Sequence, residues 1–140
     1  MAKFGSSSIT VNYDDSGGTP RAVTDYITEM NGIEIEAVTE PTHAFGDSWE
    51  EATGTGMSKV APIVLKGFYD DTATSGPHVV FRALDTSPSA STRTLAIAFG
   101  GTNGTATVET RCAKYKVMGK VGSLTQFEAT LIPTGSLAWS

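Results

Sequence analysis

The side chains best equipped for catalysis or metal binding in this 140-residue sequence are His43, His78, Cys112 and the adjacent acidic pairs Glu50-Glu51 and Asp70-Asp71. Histidines that share a metal recur at spacings such as i and i+4 on one helical face, a relation His43 and His78 do not have. Each follows a proline closely, His43 after Pro41-Thr42 and His78 after Pro77, as expected of turn or surface positions. Cys112 is the single cysteine, so no disulfide can form within the chain. It becomes a nucleophile only with a base close by, and no local signature supplies one. Adjacent carboxylates in extended chain point to opposite sides, so neither acidic pair makes an acid–base dyad. Asp70-Asp71-Thr72 also lacks the alternating oxygen ligands of a calcium loop. Gly17-Gly18, Gly54-Thr55-Gly56 and Gly100-Gly101-Thr102-Asn103-Gly104 carry neither a P-loop lysine nor a GxGxxG spacing, and read as turns. The expectation is a protein that is not an enzyme and uses no metal or cofactor.

The elements that would position these residues read as strands. Thr, Val, Gly and Ser dominate and strong helix formers are scarce, a bias that suits short strands joined by flexible turns. With 39% hydrophobic and 18% charged residues, the chain is apolar enough to bury one core, and residues 1–140 are expected to form a single domain. The first ten residues hold one lysine and no apolar run of the kind a signal peptide needs, and no stretch is long enough to span a bilayer. The net charge of −5 argues against gripping nucleic acid, which draws on clustered Lys and Arg. That charge is unevenly spread. Residues 1–71 hold twelve acidic against four basic side chains, and residues 72–140 three against six. In a head-to-tail assembly the two halves would present complementary fields.

Along the chain, Ile9, Val11 and Tyr13 alternate on one face of a strand over residues 8–13, ended by a turn over 14–20. Asn31-Gly32 is a hairpin signal between expected strands at 26–30 and 33–38. In the second of these Glu34, Glu36 and Glu40 share the face opposite Ile33, Ile35 and Ala37. Residues 44–57 and 85–93 read as loops. Residues 60–69 form an apolar strand with Pro62 at its start or on an edge. Pro77 suits a first helical turn, which predicts a short helix over 77–84, with a strand at 79–81 as the alternative. A further strand is expected at 94–99. Residues 107–121 and 124–132 read as a hairpin turning at Gly122-Ser123. Its core face would carry Ala113, Tyr115, Val117, Phe127, Ala129 and Leu131. Cys112, Lys114, Lys116, Lys120, Gln126, Glu128 and Thr130 would lie on its polar face.

Three stretches carry a resemblance: Val23-Thr24-Asp25-Tyr26-Ile27, Gly46-Asp47-Ser48-Trp49-Glu50-Glu51, and residues 62–71, Pro-Ile-Val-Leu-Lys-Gly-Phe-Tyr-Asp-Asp. They lie in order within residues 23–71, and the closing strand of residues 127–135 completes the resemblance; the two spans hold 58 of the 140 residues. The sequence resembles the tail tube proteins of long, non-contractile-tailed (siphovirus-like) phages. The resemblance implies a mainly β, single-domain antiparallel β-sandwich or barrel with one short helix and long inter-subunit loops. Copies would close into hexameric rings that stack into a hollow tube around a tape-measure protein, between distal tail and tail terminator proteins. The tube would sit in the virion, be made in the host bacterial cytoplasm, touch no membrane, and pass DNA without binding it specifically. An N-terminal arm over about 1–20 and the loop at 44–57 are the expected bridges to neighbours.

Within that picture Asp47, Trp49, Glu50, Glu51 and Met57 are the inter-subunit candidates, and Glu34, Glu36 and Glu40 the candidates for a negatively charged lumen. A Trp in a Gly/Thr/Glu-rich loop has little local core to enter, so a neighbour's pocket could hold it. The alternative is that the loop folds back over its own domain. Two other functions share this composition. One is a virion decoration or head-tail joining protein. The other is a carbohydrate-binding β-sandwich module, which would need several aromatics on one exposed face, whereas Trp49 and Trp139 lie far apart in sequence.

Overall fold

Alternating apolar residues build one continuous antiparallel sheet in the computed structural model, which describes residues 3–140. In chain order the strands are β1 (Thr10–Asp14), β2 (Pro20–Ala22), β3 (Ile27–Met30), β4 (Ile35–Pro41), β5 (Ala52–Val60), β6 (Ile63–Phe68), β7 (Arg93–Ala98), β8 (Thr105–Met118), β9 (Gln126–Pro133) and β10 (Ala138–Trp139). One helix, α1 (Pro77–Phe81), lies between β6 and β7. The main sheet runs β2-β1-β7-β8-β9-β6-β3, with β10 pairing the start of β8, while β4 and β5 form a separate two-stranded sheet. Mainly β, antiparallel, single-domain and with one short helix, this is the expected class.

The main sheet is curled, and the core lies inside the curl. Val11 and Tyr13 of β1, Leu95 and Ile97 of β7, Val108 and Cys112 of β8, Phe127, Ala129 and Leu131 of β9, and Ile63 and Leu65 of β6 all point inward and are buried. Helix α1 drops Val80 and Phe81 into the same space. The Phe81 ring stacks on Tyr13 at 5.3 Å and on Phe127 at 5.6 Å, so it touches strands that stand three places apart in the sheet. Only a strongly curved sheet allows that. The curl almost closes. β2 and β3, the two ends of the strand order, are joined by the tight turn of residues 24–26. There the Val23 N–H donates to the Val11 carbonyl (3.0 Å), and the Thr24 hydroxyl reaches the Val11 N–H (2.9 Å) and carbonyl (3.2 Å). Beyond this corner β1 and β3 do not pair, and an open seam remains.

A buried cation ties the helix to the sheet. Arg93 is 2% exposed; its guanidinium donates to the Val80 carbonyl (2.9 Å) and to that of Ala83, pairs with Asp85 (3.3 Å) and lies over the Tyr13 ring (5.1 Å). The last carbonyls of a helix are left without intrahelical donors, and Arg93 satisfies that of Val80, with that of Ala83 just past the helix end, from across the core. Asp85 in turn accepts the Cys112 N–H at 2.8 Å, so every member of the cluster is bonded.

Several expectations change. The strands flanking Asn31-Gly32 do not pair with each other; β3 pairs with β6, and β4 with β5. The Asn31 side chain instead donates to the Pro62 carbonyl (3.0 Å) and accepts the Val64 N–H (2.9 Å), extending the β3–β6 ladder, and Gly32 (φ 89°) then turns the chain away. The expected loop at 44–57 is half strand, since residues 52–57 belong to β5. Residues 10–14 of the expected N-terminal arm are a sheet strand with Val11 and Tyr13 in the core. The helix falls where predicted but ends at Phe81. The β8–β9 hairpin forms, with a longer connection over 119–125 than Gly122-Ser123 alone. Its register shifts between Cys112 and Lys114, which leaves Ala113 exposed. A bulge inserts one residue and reverses the facing of everything before it. Tyr115 therefore shares the inner face with Phe127 and Ala129 as expected, Val117 lies beyond the core at the exposed end of that face, and Cys112 is in the core rather than on the polar face.

Candidate assembly surfaces

The β4–β5 hairpin leaves the body at its root, where the Ala61 N–H donates to the Glu34 carbonyl (3.0 Å), and makes almost no core. Along both strands only Val38 and Val60 are half-buried, and every other residue is exposed. The ladder breaks once, between Ala37↔Ser58 and Thr39↔Gly54, where Gly56 takes φ 84°. At the tip the Thr42 N–H donates to the Glu51 carbonyl (3.0 Å) and Asp47 caps the Ala44 N–H (2.6 Å). An isolated two-stranded hairpin is marginal in water, and this one gains almost no burial from the body.

The structure gathers Asp47, Trp49, Glu50 and Glu51 at or beside the arm's tip and places Met57 along its shaft. Trp49 is 82% exposed, and Phe45, Met57 and Ile35 are exposed with it. The loop does not fold back over its own body. Glu34 sits at the root, Glu36 low on β4 and Glu40 near the tip; Glu36 faces Lys59 across the ladder at 3.5 Å. Residues 31–62 hold six carboxylates against Lys59, a difference that equals the whole net charge of −5. The body is charge-balanced. Its exposed sheet face shows this directly, for Glu29, Lys66, Glu128 and Lys116 stand opposite one another in register across β3, β6, β9 and β8.

The residues with catalytic potential are scattered. His43 is at the exposed arm tip, 3.5 Å from the Glu51 carbonyl. His78 is half-buried on α1, its Nδ1 2.9 Å from the Tyr115 hydroxyl and its ring 4.9 Å from that of Tyr69. Burial pushes the Cys112 thiol up to about 11 and the Tyr115 phenol up to about 12. Asp70 is held below its ordinary value by hydrogen bonds from the Thr72 hydroxyl and N–H, as an ordered turn requires.

Two features had no sequence signal. One is the seam, a groove of about 550 Å³ between β1 and β3, floored by Ile9, Val11, Ile27 and Met30 and rimmed by Asp25 and Glu29. The other is the 119–125 connection, where Val121 and Leu124 are exposed beside Lys120. The seam brings together residues from 9 to 30 only once the sheet curls. Val121 and Leu124, for their part, read in sequence as the ends of the two hairpin strands.

No protein-family model matches the chain, and no curated protein sequence does. Solved structures do. The fold matches a chain of the virion of a native gene transfer agent particle with TM-score 0.73 and 14% identity, covering 99% of each chain. It matches a chain in the tail of an empty gene transfer agent particle, helically refined with C6 symmetry, with TM-score 0.72, 14% identity and the same coverage. A chain of the sheath-tube complex of an extracellular contractile injection system gives TM-score 0.69 at 13% identity, covering 99% of this chain and 91% of that one. At these identities the likeness is one of fold.

Proposed function

We propose that the protein is a structural virion component whose copies stack as rings, six to a ring, into the hollow tail tube of a phage-like particle. The single observation that carries this reading is the arm. It is a separate two-stranded sheet with an exposed tryptophan, on a fold shared with chains from a helically refined six-fold tail and from a sheath-tube complex. The tube encloses a tape-measure protein, joins distal tail and terminator proteins at its ends, and conducts DNA without gripping it. The fold occurs in both a gene transfer agent and a contractile system, so the long, non-contractile tail is carried by the sequence resemblance. In the assembled tube the arm bridges subunits through Asp47, Trp49, Glu50, Glu51 and Met57. Glu34, Glu36 and Glu40 turn their charge to the channel. The function is assembly rather than catalysis.

Electron microscopy of the concentrated protein tests this. Hollow filaments with a regular axial repeat are the expected result, and a monomer at all concentrations, with or without an added tail-tip nucleus, overturns it. Cysteines placed at Glu36 or Glu40 test the lumen assignment. They should resist a bulky thiol reagent in intact filaments and react after disassembly; equal labelling in both states removes them from the channel.

A further inference from the structure

The seam between β1 and β3 is a hole with a charge, and the 119–125 connection is a knob with the opposite one. The groove's floor is apolar, from Ile9, Val11, Ile27 and Met30, and both ionisable groups that line it, Asp25 and Glu29, are acidic. Across the sheet the β8–β9 connection presents Val121 and Leu124 to solvent, Val121 completely, with Lys120 beside them and Val117 exposed beneath. Ile9, Ile27 and Met30 are only half-buried where they line the groove, and Val121 and Leu124 are exposed. We propose that the β8–β9 connection of one copy seats in the β1–β3 seam of the next, Val121 and Leu124 on the apolar floor and Lys120 against Asp25 and Glu29.

Charge complementarity chooses this occupant. The arm, which is also exposed and apolar at its tip, carries six carboxylates and one lysine and would bring like charge to an acidic groove. Knob and hole are different patches of one chain, so the contact is heterologous. Repeated, it closes a ring or runs on as a filament, whereas a two-fold contact would stop at a dimer. The groove is also bordered by β3, an end strand of the main sheet, and a neighbour covering its free edge removes an aggregation hazard. This contact rests on the tube reading for its setting and defines a second interface apart from the arm.

The test joins a cysteine pair to a charge swap in the full chain. Thr28 lines the groove and is exposed, and the native Cys112 is buried and silent. Mild oxidation of Thr28→Cys/Val121→Cys should give a ladder of covalent oligomers on a denaturing gel, absent when Thr28→Cys is used alone. Lys120→Glu should raise the concentration needed for assembly by about tenfold, and Asp25→Lys in the same chain should restore it. Filaments without a ladder or a rescue overturn the seam contact and leave the tube standing. A ladder in soluble oligomers that never form filaments supports the contact and overturns the tube. Neither ladder nor filaments overturns both.

Discussion

Arg93 is the residue on which the fold leans hardest, because a buried guanidinium is tolerable only when every donor has a place to go. Here it closes the end of α1 and holds Asp85, which holds the Cys112 backbone. Arg93→Met keeps the volume but strands Asp85 and the carbonyls of Val80 and Ala83. It should cost about 3–5 kcal/mol, read as a fall in the urea midpoint. Alkali should unfold the protein through a second set of residues. Burial raises Cys112 from 9.0 to about 11 and Tyr115 from 10.0 to about 12, and raises Tyr13 further still. A folded pKa above the unfolded one favours the native state fully below the unfolded value. Stability should therefore hold up to about pH 9 and fall as pH rises through 11–12, checked by urea titrations across that range. A flat profile to pH 12 would contradict the burial of these groups.

Elements were legible where a period of two ran unbroken. Val11 and Tyr13, Leu95 and Ile97, and Phe127, Ala129 and Leu131 announce inward faces, and Pro77 announces the helix. What the pattern could not show was a change of phase. The bulge at Ala113 turns Cys112 inward although its neighbours alternate correctly, and Asn31-Gly32 ends a strand rather than joining two, because the Asn31 amide finds β6 first. Gly67 marks where β3 meets β6. A Cβ there would overlap the Tyr26 carbonyl, a backbone atom that cannot swing aside. Gly67→Ala should destabilise the monomer by about 2–4 kcal/mol by chemical denaturation. Trp49→Ala is the contrasting case. The side chain is exposed, so monomer stability should change by less than about 0.5 kcal/mol. Assembly seen by negative-stain microscopy should fail. Intact tubes from the variant would remove Trp49 as an anchor.

At the scale of the whole molecule, the division of charge between a balanced body and an acidic arm was half visible. The sequence shows an acidic N-terminal half, but only the pairing of β4 with β5, apart from the main sheet, confines the imbalance to residues 31–62. The curl of the sheet was beyond reach, since it depends on partners such as Asp14 and Thr94, eighty positions apart. Replacing residues 35–60 with a short Gly-Ser linker should leave a monomer that unfolds cooperatively, with a melting temperature within a few degrees of the parent, and that no longer polymerises. Loss of cooperative unfolding would show that the arm supports the core after all. If the arm is as separate as its burial indicates, its sequence is almost free of folding constraints. It can then drift or be exchanged between relatives without retuning the barrel behind it, and partner choice can diverge faster than architecture.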